Sequence, residues 1–236
     1  MPRRLPLKRY AWTAFLALGG CAVTDLDLGL NRPPLTIGEP IDRATRSRLA
    51  RAVGGDPAAC QAWLTAASVS FTPLADRTES ADCQVAGAVA LGDAAAGSDV
   101  KLSPSKPMMT CPLAAAVAVW KVQSVRPAAR AMLGSPVTGV DHYGVYACRR
   151  VNNAEAGRYS AHARAAAIDI AGFRLADGRR ISVERDWNGG DAAKAAFLRR
   201  VRDDACATFG VTLSPDYNAA HANHLHLESG RGRLCG

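Results

Sequence analysis

Two short motifs hold four of the chain's five histidines, so a fold that uses them together must bring both motifs to one place. The first motif contains His162 and Asp169, and the second, His221–His226, has the pattern His-x-x-His-x-His. Neutral imidazoles and a carboxylate are good zinc ligands, and a catalytic zinc takes three protein ligands and leaves one position to water. The sequence therefore predicts a Zn²⁺ site formed by His162, Asp169 and His226.

Both motifs also have the pattern of strands. Residues 167–173 are apolar and partly β-branched, which is typical of a buried strand. In residues 224–228 two leucines alternate with polar side chains, which places the polar side chains on one face. A lone Asp169 inside an apolar run is costly to bury unless it is paired or holds a metal. The alternative interpretation is that Asp169 caps a turn and the histidines lie on a polar edge.

The rest of the chain predicts helices around a small sheet. Residues 113–132 favour an Ala-rich helix, with Thr110 as a cap donor and Pro112 near its start. A second long helix is expected at residues 191–209, capped by Asp191 and ended by Gly210. Shorter elements are expected as a helix at 60–65 and strands at 68–74, 85–91, 137–149 and 225–228. The expected fold class is α+β, a small, mostly antiparallel sheet flanked by helices.

The seven cysteines divide into one near the N-terminus and six in the remainder of the chain. An even number without a Cys-x-x-Cys pair favours three disulfides in an oxidising compartment over a sulfur-ligated metal. Sequence alone leaves the pairing open. The six are Cys60, Cys83, Cys111, Cys148, Cys206 and Cys235.

The N-terminal residues have the pattern of an export signal. Residues 1–9 contain four basic side chains and no acid, and an apolar run follows that is too short for a membrane span. The run ends at Leu18-Gly19-Gly20-Cys21, which resembles a lipobox, so Cys21 is the expected lipidation site. We therefore expect a lipoprotein signal peptide at 1–20, a Pro-containing tether at 21–50 and a domain at 51–236 in the periplasm. The alternative is an ordinary signal peptide with an unrelated cysteine.

Half of the net charge of +8 is a property of that signal. Without its four basic residues, 25 basic residues remain against 21 acidic ones, a net charge of +4. No basic run is interleaved with aromatic residues, so nucleic acid is not an expected partner. A mild positive charge is compatible with work beside an anionic cell wall.

The pattern Ser160-x-His162-x-x-Ala165-x-Ala167-x-Asp169 resembles the Ser-x-His-x-x-Gly-x-Ala-x-Asp signature of zinc D-Ala-D-Ala carboxypeptidases. The later histidines resemble the closing motif of the same superfamily, including its murein endopeptidase branch. From about Cys60 onward the chain resembles the bacterial extensin-like C-terminal domain family. The segments that carry this resemblance are 111–115, 146–149, 160–163, 197–199 and 215–221.

The resemblance implies a zinc DD-peptidase-like fold and a zinc peptidase that hydrolyses stem-peptide or cross-link amide bonds of peptidoglycan. It leaves open carboxypeptidase or endopeptidase action, and DD or LD bonds. One departure is Ala165, which stands where the peptidases usually carry Gly; its methyl group would crowd a close backbone approach.

The resemblance also suggests roles for side chains beside the metal ligands. His224 is expected to act as a general base or as a donor to the reacting group, or else to orient another group. His221 is expected to bond a ligand or the substrate, and Arg149 to hold a substrate carboxylate or developing oxyanion by bidentate bonding. Ser160 is expected to cap its loop or to bond a ligand, and His142 to be a surface residue.

Two other functional classes fit parts of the sequence. In a non-catalytic peptidoglycan-binding lipoprotein the zinc site would be structural or vestigial, and this alternative is favoured by Ala165 and by the absence of a Glu general base in a His-Glu-x-x-His arrangement. A zinc with a fourth protein ligand in place of water would indicate this class. A serine acyl-enzyme is suggested by the Ser-x-x-Lys pattern from Ser103 to Lys106. That pattern is short, its usual partner motifs are absent from the sequence, and its Pro-flanked setting favours a loop.

If Cys21 carries the lipid, Cys21→Ser will release the protein from the membrane fraction while the domain still folds. The check is fractionation together with mass spectrometry of the mature N-terminus, with Ala22→Ser as the matched control that retains the lipidated cysteine. Unchanged membrane association of Cys21→Ser, or a mature N-terminus beyond residue 21, would contradict this prediction.

Overall fold

A computed structural model describes Met1 and residues 32–236. The predicted signal peptide, Cys21 and the first part of the predicted tether lie outside the described residues. Among the residues that the structure describes, no helix is both long and apolar enough to cross a membrane.

The centre of the fold is a helix that is apolar on all sides. Helix α3 (Cys111–Trp120) has every residue except Pro112 buried, as expected for a helix without a polar face. One π-helical turn, Lys121–Val125, joins it to α4 (Arg126–Leu133), which ends at Gly134 with φ of 67°. The predicted helix is thus confirmed with a π-turn inside it. The predicted capping bond is wrong, because the Thr110 side chain makes no cap hydrogen bond.

Four further helices surround this centre. Asp191 caps α6 as predicted, because its carboxylate accepts from the backbone N–H groups of Ala193 and Lys194. Asp56 caps α2 in the same manner. Trp120 donates a 2.8 Å hydrogen bond from its indole to the carbonyl of Val201, which fixes α3 against α6. These helices are α1 (Thr45–Val53), α2 (Pro57–Ala66), α5 (Val183–Asp186) and α6 (Ala192–Thr208).

The strands form three sheets, of which the largest has seven strands. Its order is β12-β10-β11-β8-β7-β5, with β9 also paired to β8. The order of the second sheet is β1-β4-β6, and β2 pairs with β3 in a small hairpin. The strands are β1 (Val69–Pro73), β2 (Arg77–Thr78), β3 (Gln84–Val85), β4 (Ala88–Ala95), β5 (Lys101–Ser103), β6 (Met108–Thr110), β7 (Val137–Gly144), β8 (Ala167–Leu175), β9 (Arg180–Ser182), β10 (Val211–Leu213), β11 (Leu225–Glu228) and β12 (Leu234–Cys235).

The fold therefore combines helices and sheets as expected, but its main sheet is larger than predicted and mixed. The central pairings β7–β8, β8–β11 and β10–β11 are antiparallel. The edge strands β5 and β12 pair in parallel with β7 and β10. Each edge strand has only two or three residues, too few for a recognisable pattern in the sequence.

The folded domain begins before residue 51, which corrects the predicted tether boundary. Leu35 is 1% exposed, and its carbonyl accepts a 2.8 Å hydrogen bond from the Trp63 indole. The buried Arg48 pairs with Glu39 at 2.6 Å, and this guanidinium lowers the pKa of Glu39 to about 2. Residues from about 35 onward are thus part of the domain, because isolated apolar side chains there pack on helices that follow later in the chain.

Three disulfides close the fold, as the cysteine count predicted. Cys60–Cys111 joins α2 to the start of α3, and Cys206–Cys235 joins α6 to β12. Cys83–Cys148 joins the β2–β3 hairpin region to the segment that follows β7. Each bridge therefore connects an element to a neighbour that is distant in the sequence.

Candidate metal centre

The antiparallel pairing of β8 with β11 brings the two histidine motifs together. In this register Asp169 lies directly opposite His226. Their apolar neighbours Ile168, Ile170 and Leu225 are fully buried. Side chains directly opposite each other on one face of an antiparallel pair are within contact distance, so the strand pattern predicted from sequence places the carboxylate and the imidazole side by side.

A short 3₁₀ turn, Ala161–Arg164, brings His162 to the same point from the start of β8. Ser160 caps this turn, since its hydroxyl accepts from the backbone N–H of His162 at 3.3 Å. Ala165 ends the turn at φ of 50° and is completely buried. His162 is consequently 3% exposed and directed at the two strand residues.

Three side chains converge where these elements meet. His162 Nε2 lies 3.2 Å from Asp169 Oδ2 and 3.3 Å from His226 Nδ1, and Asp169 Oδ1 lies 2.8 Å from His226 Nδ1. Ligands at about 2.0–2.1 Å from a tetrahedral zinc stand about 3.3 Å from one another. Two of the separations match this value, and the third is the length of a proton-bridged hydrogen bond. The residues predicted as metal ligands are therefore brought together and fit a zinc ion.

The opposite nitrogen of each ligand histidine is held by an acceptor. His162 Nδ1 donates to the carbonyl oxygen of Val145 at 2.8 Å, and His226 Nε2 donates to the Glu228 carboxylate at 2.9 Å. A metal-binding histidine generally donates its second N–H to such a group, which sets its tautomer and direction. The nitrogens that face Asp169 are therefore His162 Nε2 and His226 Nδ1, and each can hold either a proton shared with the carboxylate or, in its place, a metal ion.

The electrostatics of this cluster demand a positive charge at its centre. Burial opposes the charged forms, but the hydrogen bonds of His226 to Asp169 and Glu228 outweigh it and raise the pKa of His226 to about 9. Burial would likewise raise the pKa of Asp169, yet hydrogen bonds from His162 and His226 hold it well below its usual range. A buried carboxylate between two imidazoles is stabilised by a proton on an imidazole or by a metal cation in its place.

Two further histidines lie beside this cluster, on the side open to solvent. His224 Nε2 is 3.5 Å from Asp169 Oδ1, and the His221 and His224 rings are 5.2 Å apart. Burial is the main cause that lowers the pKa of both, to about 4 for His221. Both rings are therefore neutral imidazoles at neutral pH, able to accept a proton or to bind a metal.

The mouth of the site carries one arginine and two exposed tyrosines. Arg149 is half-buried, and its guanidinium makes no hydrogen bond or ion pair with any residue that the structure describes. Its positive charge contributes to the lowered pKa of His224, after burial. Tyr143 packs edge-to-face on His224 and Tyr217 on His221, with ring centroids 6.0 and 5.8 Å apart. Arg149 lies in the loop after β7, anchored by the neighbouring Cys83–Cys148 bridge.

Two sequence predictions about residues outside the centre have clear outcomes. His142 is buried, not at the surface, because β7 directs it inward and its Nε2 lies 2.9 Å from the Pro104 carbonyl oxygen. The Ser-x-x-Lys pattern begins at the end of β5 and continues into the loop before β6, where Lys106 is exposed. It therefore lacks the helix start that such a nucleophile requires.

Some supporting residues were not predicted to have roles. Glu228 fixes His226, Asn218 Oδ1 accepts from His221 Nδ1 at 2.7 Å, and Asn223 Oδ1 accepts from His224 Nδ1 at 2.8 Å. The role of Glu228 could have been predicted, because Glu228 follows His226 by two residues in a strand and therefore lies on the same face. The roles of Asn218 and Asn223 could not have been predicted, because asparagine is common in loops.

Residues 58–236 match the family described as the extensin-like protein C-terminus, so the chain belongs to that family. The match covers the three disulfides, the three converging side chains and Arg149. It confirms the resemblance to the extensin-like C-terminal domain family that was inferred from the sequence motifs. No curated protein and no solved structure matches this chain.

Ala165, where the motif resemblance noted in the sequence led us to expect Gly, lies in a buried left-handed turn. Gly adopts positive φ freely, whereas Ala pays about 1–2 kcal/mol there. Ala165→Gly relieves this strain but leaves a methyl-sized void and a more flexible unfolded chain, so we expect a stability change within about 1 kcal/mol. Ala165→Val is expected to lower the free energy of unfolding by more than about 2 kcal/mol. A β-branched side chain is strained at positive φ, and its extra methyl groups would clash with the atoms that already fill this buried position.

Urea unfolding of both variants measures these differences in the free energy of unfolding. A Val variant as stable as the wild type would show that the turn does not constrain this position.

Proposed function

We propose that this protein is a zinc-dependent peptidoglycan peptidase that hydrolyses stem-peptide or cross-link amide bonds. The observation that carries the proposal is the convergence of His162, Asp169 and His226, with both imidazoles held in the ligand tautomer. Zinc bound by two imidazoles and one carboxylate supplies Lewis-acid activation of water and of a scissile carbonyl. The resemblance of the signature around His162 to that of zinc D-Ala-D-Ala carboxypeptidases favours peptidoglycan as substrate.

In this proposal His224 transfers the proton. Its Nδ1 is held by Asn223, so Nε2 carries the lone pair and points toward Asp169. Burial keeps the ring neutral at neutral pH, as a general base requires. After accepting a proton from the attacking water, the same nitrogen donates it to the leaving amine. His221, whose ring packs on that of His224, completes the wall of the site and bonds the substrate.

Arg149 binds the substrate's charge in this proposal. A half-buried guanidinium without a protein partner among the described residues has its donors free for a ligand. A planar guanidinium binds a carboxylate through two parallel hydrogen bonds and also stabilises a developing oxyanion. Stem peptides end in a carboxylate, which makes them suitable ligands for this position.

We place the protein in the periplasm, anchored to the membrane by a lipid on Cys21. The three disulfides support an oxidising compartment. In that location a membrane tether keeps the site within reach of peptidoglycan.

A peptidoglycan-binding lipoprotein without catalysis is the second candidate, and one observation favours it. His224 Nε2 lies only 3.5 Å from Asp169 Oδ1, within reach of becoming a fourth ligand. An ion with four protein ligands leaves no position for water and is structural.

The metal prediction is about one tightly held zinc per chain in the purified domain. The double variant His162→Ala/Asp169→Ala removes two of three ligands and is expected to lose it. His142→Gln is the matched control, since it replaces a buried histidine outside the cluster. Metal analysis after dialysis, with disulfides verified, decides the matter: stoichiometric zinc surviving in the double variant would refute the ligand set.

The catalytic prediction concerns defined cross-linked muropeptides and purified sacculi, with product masses resolved. His224→Ala is expected to retain zinc and sacculus binding but to lose about 10²–10⁴ in turnover, the usual contribution of a positioned acid–base group. Arg149→Ala is expected to raise KM as well, because a carboxylate clamp also acts on bound substrate. If zinc-loaded wild type cleaves no DD or LD bond yet binds sacculi tightly, the binding lipoprotein is the correct function.

A further inference from the structure

The metal centre has more oriented donor atoms than one catalytic ion uses. All four of its histidines have one ring nitrogen held by an oxygen acceptor outside the cluster, so the other nitrogen of each ring is the one that a metal ion can use. For His162 and His226 the free nitrogens belong to the predicted zinc site. For His221 and His224 the holding groups are the amide oxygens of Asn218 and Asn223, and the free atom of each ring is Nε2.

These two free nitrogens form a second cluster beside the first. One donor atom from each of His221, His224 and His226 lies within 4.8 Å of the others. The single lone pair of His226 Nδ1 is committed to the first site, since Nε2 donates to Glu228. The charged ligand between the two clusters is Asp169, whose Oδ2 faces His162, while its Oδ1 lies 2.8 Å from His226 Nδ1 and 3.5 Å from His224 Nε2.

We propose that His221 and His224 bind a second divalent metal ion beside the first, with the Asp169 carboxylate bridging the two. Carboxylate-bridged ion pairs in proteins lie about 3.5–4 Å apart, and a bidentate carboxylate gives one oxygen to each ion. Neutral imidazoles and carboxylate oxygens suit zinc and other first-row divalent ions. The amide oxygen of Asn223 sets the tautomer of His224, and that of Asn218 both caps the turn at Ala219–His221 and sets the tautomer of His221.

The second position binds less tightly than the first for two physical reasons. Its histidines are more exposed than His162 and His226. It shares the single negative charge of Asp169 with an adjacent dication, and like charges repel. We expect an affinity at least about tenfold lower than that of the first site, so the purified protein retains one ion and takes up the second as free zinc rises.

One consequence rests on the proposed function, whereas the binding site itself does not. The Nε2 lone pair of His224 cannot both hold an ion and accept a proton. Occupancy of the second position therefore opposes turnover, and excess zinc acts as an inhibitor.

The test is zinc titration of the metal-free, disulfide-bonded protein against a chromophoric chelator. Wild type is expected to show two classes of site, and His221→Ala to lose the weaker class while keeping the tighter one. Asn218→Ala keeps His221 as a ligand but removes the acceptor that orients its ring. This variant is expected to lower the zinc affinity of the weaker site by about 10–100-fold. His142→Gln, the matched control, is expected to keep both classes.

Loading with Co²⁺ distinguishes a bridged pair from a remote second site. Two ions that share Asp169 are expected to couple magnetically, so the electron paramagnetic resonance signal of the first ion changes when the second binds. A single class of one ion at millimolar free zinc would overturn the proposal. A second class unchanged in His221→Ala, or uncoupled cobalt ions, would overturn it equally. None of these readouts depends on peptidase activity, so a failure of the proposed reaction is separately detected.

Discussion

The buried carboxylate of Asp169 is the constraint on which the rest of the site depends. It lies within the apolar stretch of residues 167–173 and its side chain is only 13% exposed, so its charge must be compensated locally. Its compensation comes from His226, directly opposite on β11, and from His162 on the turn before β8. Both imidazoles are oriented by acceptors behind them, the Val145 carbonyl and the Glu228 carboxylate. A centre built in this way favours a cation, and the histidines outside it determine what that cation can do.

The surrounding fold makes this geometry rigid. The two ligand strands lie in the middle of the main sheet, and helix α3 lies in the core with its Trp120 against Phe173 of β8. The loop that carries Arg149 has little regular structure of its own, yet Cys83–Cys148 and the bond from Ser160 N–H to the Arg149 carbonyl hold it beside the site. Such preorganisation is what a catalytic site requires, because ligands and substrate-binding groups must keep their positions without the substrate.

Much of the site was predictable from sequence because its signals are local. The alternation around Asp169 and His226 indicated two strands with polar atoms on one face, and the register between those strands completes the cluster. The helix at 113–132 was predictable because its Ala-rich first part, residues 113–120, has no polar face and has to be buried. The disulfide pairing, the parallel edge strands and the burial of His142 were not predictable, since each depends on a partner far away in the chain. The same holds for Leu35, which becomes part of the core only through contact with residues such as Trp63.

We propose that His162 Nε2, His226 Nδ1 and the Asp169 carboxylate surround a metal ion and not merely a shared proton. Anomalous diffraction at the zinc absorption edge, from crystals of protein purified without added metal, tests it most directly. We expect a zinc peak between these three groups, at about 2.0–2.2 Å from each donor atom. Crystals in which the three side chains are ordered, with Asp169 hydrogen-bonded to protonated His226 and the zinc peak elsewhere or absent, would contradict it.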